Sequence, residues 1–260
     1  MSCGVRFSLR LPFVPFPWGE AMKASIVLSD FRVDFPNFSM GPIELDVRAG
    51  ERLALIGANG AGKSTTLNAI AGRLTEYRGR VEVGGEEVVA QAHRVRESVG
   101  LLPERLLGFG WMTVAEHIAF LSNFFPTWDK KHATELLDRL ALPAKSKVGT
   151  LSKGMQIKLA LIGAEAFRPP ILLLDEPTSG IDPVMRGELL AVIADCAPRG
   201  GERIVVFSSH ILEDVERIAD RVVLLQSGSV ICDMSTEALQ ATEPGTPISE
   251  LLYSRLTPHG

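Results

Sequence analysis

The sequence predicts an α/β fold: a mainly parallel sheet, an antiparallel β part ahead of it, and an α-helical insertion within it. Three observations lead there. The apolar strand "RLALI" (Arg52 to Ile56) runs into a glycine-rich loop that opens a helix. After Pro169-Pro170, short apolar runs such as "ILLLD" and "RIVVFSS" alternate with helix-like segments, as in a sheet covered on both faces. Between about residues 105 and 168, strand signals fade and apolar residues recur at helical spacing.

Each element follows in order. Ile26 to Val47 alternates with period two and breaks at Pro36-Asn37, which gives two antiparallel strands. Gly50-Glu51 turns the chain into "RLALI", and "STTLNAIAGRL" continues the loop as a helix. "GRVEVGGEEV" reads as a hairpin turning at Gly84-Gly85, and "VGLLPE" as a strand ending at Pro103. In the insertion, "TVAEHIAFLSNFF", "KKHATELLDRLAL" and "MQIKLALIGAEAF" are helices. Thr113 caps the first; Ser152, in the turn "LSKGMQ", caps the last, where Met155, Leu159, Ile162 and Ala166 share a face. Beyond it come "ILLLD", a helix near "PVMRGELLAVIAD", "RIVVFSS", a helix near "ILEDVERIA", and "RVVLLQ". One domain thus spans residues 22–242, with an extension at 1–21 and a tail at 243–260.

Composition narrows the classes. The 260 residues suffice for a sizeable core, and the net charge of −4 lacks the basic excess of a nucleic-acid surface, so no nucleic-acid partner is expected. Cys3, Cys196 and Cys232 are odd in number and far apart, so neither a disulfide framework nor a metal-binding spacing is present. No apolar run reaches the ~18–20 residues of a membrane helix. Residues 1–21 carry Pro12, Pro15 and Pro17 among aromatics, which spoils a signal-peptide core. The expectation is that translation starts at Met22, since the codons of Trp18-Gly19-Glu20 form a purine-rich run like a ribosome-binding site.

The sharpest motif is "GANGAGKS", which fits G-x-x-x-x-G-K-[ST] after a strand and before a helix. Such a loop lays the backbone of Gly57, Ala58, Asn59, Gly60, Ala61, Gly62, Lys63, Ser64 and Thr65 around phosphate oxygens at a helix N-terminus. Lys63 reaches the β- and γ-phosphates and the Ser64 hydroxyl reaches Mg²⁺. "ILLLDEPTSGID" ends a buried strand in two acids, where ligands gather in open α/β sheets. Asp175 suits the metal, through a water, and Glu176 suits a general base acting on water. His210 ends "VVFSSH", a third strand of the same type.

Together these motifs resemble the ATP-binding subunits of bacterial ABC transporters, from about Ala24 to Ala241 and in the family's order. The resemblance implies a P-loop NTPase core binding ATP and Mg²⁺, with Lys63, Glu176 and His210 catalytic, His210 being the switch histidine. Asp182 falls in the D-loop "SGID", and Phe35 falls where an aromatic stacks on adenine, with Phe38 as competitor. The Q-loop position holds Glu104 in place of glutamine, a carboxylate within reach of Mg²⁺ or the attacking water. The signature reads Leu151-Ser152-Lys153-Gly154-Met155; Ser152 and Gly154 are expected to reach the γ-phosphate bound by the opposite subunit.

The resemblance therefore implies a dimer, of two copies or of one copy and a relative, closing around two ATP molecules. It would drive an integral membrane transporter subunit from the cytoplasmic face of the cell membrane. The stretch from "SNFFPTWDKK" to "LSKGMQIKLAL" resembles exporters with separate membrane subunits, so export is expected. The alternative is a soluble ABC-type ATPase uncoupled from a membrane; such relatives carry coiled coils, zinc modules or two ATPase domains, absent from this sequence.

Overall fold

The computed structural model describes residues 24–36, 38–104, 108–197 and 201–256. The extension at 1–21 and the expected start at Met22 lie outside the described residues.

Two sheets form. The antiparallel sheet runs in the order β2-β1-β4-β5, from β1 (Ser25–Phe35), β2 (Phe38–Arg48), β4 (Arg78–Val83) and β5 (Glu86–Glu87). Its long strands alternate buried and exposed residues, because one face meets the core and the other meets water. The hairpin turning at Gly84-Gly85 is present as β4 and β5.

The second sheet runs in the order β10-β9-β3-β8-β7-β6. Strands β3 (Arg52–Ile56), β6 (Val99–Leu102), β7 (Ile171–Leu174), β8 (Ile204–Ser209) and β9 (Arg221–Gln226) are parallel, and β10 (Ser229–Ser235) returns antiparallel along β9. Every residue of β3, β7 and β8 is buried, which explains their continuous apolar sequence. Helix α1 (Lys63–Ile70) leaves β3 and fills the core shared with the antiparallel sheet, alongside Leu67, Ile70, Val81 and Val223.

The insertion carries α3 (Val114–Leu121), α4 (Lys130–Arg139) and α5 (Lys153–Glu165), after a short α2 (Ala92–Ser98). Thr113 caps α3 in a reciprocal box: Glu116 N–H donates to Thr113 Oγ1 at 3.2 Å, and Thr113 N–H to Glu116 Oε2 at 2.7 Å. Helix α5 is buried nearly all round against β6 and α4, beyond the single apolar face that its periodicity suggests. Its last residue, Glu165, is held by both terminal nitrogens of Arg203, at 2.8 and 2.7 Å.

Helices α6 (Pro183–Cys196) and α7 (Leu212–Ile218) follow β7 and β8, and α8 (Thr236–Thr242) and α9 (Ile248–Leu256) follow β10. The stretch read as a tail joins the core: Leu251 and Leu252 of α9 are buried in it, and Ser249 Oγ donates to Glu216 Oε2 of α7 at 3.0 Å. Among the described residues no helix is long and apolar enough to cross a membrane.

Candidate nucleotide site

The site lies where β3, β7 and β8 end side by side. The loop after β3 bends through Gly60 and Gly62, whose φ values of +80° and +107° are left-handed. A Cβ at Gly62 would also press on the movable end of the Met40 side chain, but it is the left-handed φ that calls for glycine there. The buried Lys63 opens α1, and its ammonium donates to the carbonyls of Gly57 (2.7 Å) and Ala58 (3.2 Å). Ala61 N–H donates within the loop to Ala58 O, which leaves the neighbouring amides to define the anion cradle.

The acids that follow β7 stand beside this loop. Asp175 Oδ1 accepts from Ser64 Oγ at 3.0 Å and from Ser208 Oγ at 2.7 Å. Glu176 adopts φ +50°, which swings its carboxylate over the loop, and its N–H donates to Ser208 Oγ at 2.8 Å. His210 Nδ1 lies 2.7 Å from Glu176 Oε2. Glu176 Oε1 stands 3.3 Å from Lys63 Nζ, a charge contact without hydrogen-bond geometry, and so remains a buried oxygen with an unused lone pair. The site is thus a cationic loop facing a carboxylate whose second oxygen is held by histidine.

These donors fit a magnesium ion carried by a polyphosphate. The Ser64 hydroxyl and the Asp175 carboxylate converge, and among the described residues no group of three or more His, Cys, Asp or Glu could hold a metal unaided. Magnesium is characteristically held in this way, by one or two protein oxygens plus phosphates.

Residues 40–179 match the family described as ABC transporter. The chain belongs to that family. It is 30% identical to the linearmycin resistance ATP-binding protein LnrL of Bacillus subtilis, over 82% of this chain and 69% of that protein. It is 33% identical to the Nod factor export ATP-binding protein I of Burkholderia lata, over 80% of this chain and 70% of that one. A solved ATP-binding subunit of an ABC transporter superposes with a TM-score of 0.79 at 26% identity, covering 89% of this chain and 99% of that one. A dimeric ATP-binding cassette with ADP and Pi shares the fold, with a TM-score of 0.72 at 22% identity over 81% of this chain and 98% of its own.

Within this ABC ATPase domain the remaining expected residues divide. Ser152 caps α5, its Oγ accepting from Met155 N–H at 3.3 Å, and Gln156 Nε2 donates back to Leu151 O at 3.1 Å. Gly154 lies in the first turn of α5, where a Cβ would stand 2.0 Å from Met185 Sδ of α6, so any larger residue must displace the Met185 side chain. A Cβ on Gly180 would meet Lys153 Nζ at 2.7 Å, so the signature lysine leans over the D-loop of its own subunit. Asp182 caps α6, accepting from Val184 and Met185 N–H at 3.1 and 3.0 Å. Signature and D-loop therefore pack together, and neither Ser152 nor Gly154 lines the cavity beside the phosphate loop.

Phe38 lines that cavity; Phe35 stacks on it from the neighbouring strand end, with centroids 6.4 Å apart. Glu104 is exposed two residues beyond β6, outside the Ser64–Asp175–Glu176–His210 cluster. Two functional groups escaped sequence reasoning. Ser208 is fully buried and bridges both acids; the pair Ser208-Ser209 at the end of an apolar strand is its only signal, and it does not say which serine. Buried Asp214 of α7 accepts from Thr178 Oγ1 and from Arg186 Nε, tying the segment after Glu176 to α6 and α7.

Proposed function

We propose that this chain is the ATP-hydrolysing subunit of a transporter, pairing head to tail with a second ATP-binding subunit to drive a separate integral membrane subunit in export. One observation carries the chemistry: Lys63, Glu176 and His210 meet within hydrogen-bonding or ion-pairing reach at the ends of three adjacent strands. The loop amides and Lys63 bind and orient the triphosphate. Ser64 and Asp175 would hold Mg²⁺, which when bound supplies charge neutralisation between the β- and γ-phosphates. Glu176 Oε1 takes the proton of the attacking water, while His210 fixes Oε2 and so aims the carboxylate. Asp214 and Ser208 hold the loop ends that carry these groups.

The dimer reading rests on the signature turn. Ser152 is exposed at the N-terminus of a 13-residue helix, away from its own phosphate loop, and there suits a γ-phosphate bound by another subunit. The membrane partner and the export direction rest on relatives whose names speak of linearmycin resistance and Nod factor export. A cavity of about 320 Å³ between the insertion and the sheet, walled by Leu121, Phe125 and Pro103 with Arg73 and Arg96 beside it, suits docking of a short helix of that partner. Such a subunit works at the cytoplasmic face of the cell membrane.

Glu176→Gln is expected to lower ATP turnover by about two orders of magnitude or more, the worth of a general base, while ATP-induced dimerisation persists. Equal turnover in both proteins removes Glu176 from this role. Ser152→Arg is expected to cut turnover while the monomer still binds ATP; unchanged turnover refutes the shared site.

A further inference from the structure

The cavity beside the phosphate loop, of about 620 Å³, is lined in part by Leu225, Tyr253 and Leu256, which neither the motifs nor the matched family segment include. It is lined by Gly57 to Ala61 of the loop and by the apolar and aromatic Phe38, Leu225, Tyr253 and Leu256. Tyr253 and Leu256 come from α9 and are three residues apart, so they share a helix face. Helix α9 is anchored next to this wall by the buried Leu251 and Leu252 and, one turn before Tyr253, by the Ser249–Glu216 bond, so the wall is fixed in place. Tyr253 is nevertheless 63% exposed, a large ring turned toward the loop cavity and away from the core.

A cavity lined by both a phosphate-binding loop and aromatic faces matches a nucleoside triphosphate, a polyanion joined to a flat ring. We infer that Tyr253 of α9 is a nucleotide-affinity residue, laying its ring on the nucleoside part of ATP in the cavity that Phe38 also lines. The inference rests on the nucleotide reading of the phosphate loop and extends it to α9. Since α9 packs on α7, which begins two residues after His210, nucleotide contact at Tyr253 also braces the switch histidine's helix.

The test compares two ligands in the full-length Glu176→Gln protein, where turnover does not interfere: ATP and inorganic tripolyphosphate, which lacks the nucleoside. Tyr253→Ala is expected to weaken ATP binding about tenfold, the scale of losing one base–aromatic contact, with tripolyphosphate binding unchanged. Tyr253→Phe keeps the ring and is expected to bind ATP within about twofold of the parent. Unchanged ATP affinity in Tyr253→Ala overturns the inference, and so does an equal loss for both ligands, which marks mere support of the loop. A parent protein that binds neither ligand instead overturns the nucleotide reading on which the inference stands.

Discussion

Ser208→Ala isolates the one hydroxyl that joins the two acids. Its Oγ donates to Asp175 Oδ1 at 2.7 Å and accepts from Glu176 N–H at 2.8 Å, in a position with no solvent access. Removing it leaves Asp175 with Ser64 but leaves the Glu176 amide without that acceptor. Orphaning a buried donor costs about 1–3 kcal/mol. The Glu176 backbone, at φ +50°, is itself strained by on the order of 1–3 kcal/mol, and the lost bond is one of the contacts that hold it there. The expected result is therefore double: a loss of about 1–3 kcal/mol in urea unfolding, and a fall in kcat of about tenfold as the base drifts. A well-placed general base is worth about 10²–10⁴, so a tenfold fall corresponds to partial misplacement. Phosphate release under saturating ATP, beside equilibrium binding of ATP, checks this. Wild-type kcat with wild-type stability refutes the bridging role. A kcat loss matched by an equal loss of ATP affinity places the damage in the loop.

Three further outcomes follow from the packing around the site. Gly154→Ala puts a Cβ 2.0 Å from Met185 Sδ and is expected to cost about 1–3 kcal/mol by overpacking, partly recovered with Met185→Ala; additive costs in a double-mutant cycle contradict the contact. Asp214→Ala leaves Thr178 Oγ1 without its acceptor and Arg186 with Glu213 alone, and is expected to cost about 1–3 kcal/mol by denaturant unfolding, whereas a loss below about 0.5 kcal/mol shows the knot to be dispensable. Acid should loosen the insertion first. The bond from Thr113 N–H holds the Glu116 carboxyl below its ordinary range, and the bond from His132 N–H, then Arg168, does the same for Asp129. A lowered folded pKa means stability present above the unfolded value and lost as pH falls through the folded one. Hydrogen exchange in α3 and α4 should therefore rise below the usual carboxylate range, and Glu116→Gln with Asp129→Asn should flatten that rise.

Much of this was legible because it is local. The loop Gly57–Ser64 carries its glycines, lysine and hydroxyl at fixed offsets, and "ILLLDE" carries both acids at the end of a strand apolar enough to be central. Parallel pairing of β3 with β8 and of β7 with β8 then brings Lys63, Asp175, Glu176 and His210 together. The caps Thr113 and Ser152 were legible for the same reason, each serving an amide within three residues, whereas the sequence placed Asp182 only in the D-loop and the structure also makes it the cap of α6. Residues that act across long sequence gaps were not. Ser208 meets the acids 33 and 32 residues away, and nothing in "VVFSSH" distinguishes it from Ser209. Whether Phe35 or Phe38 faces the cavity depends on which side of a strand turn each occupies, and a one-residue slip in register exchanges those faces.

The sequence by itself determined the α/β class, the family, the phosphate loop and the acid pair, because each depends on hydrophobic period or on residues at short fixed spacing. Only the tertiary structure decided that Gly154 packs against Met185, that Ser208 clasps both acids, and that α9 belongs to the core and brings Tyr253 to the cavity beside the phosphate loop. Those facts are contacts between segments far apart in the chain, and close packing creates such contacts without leaving a pattern in either segment alone.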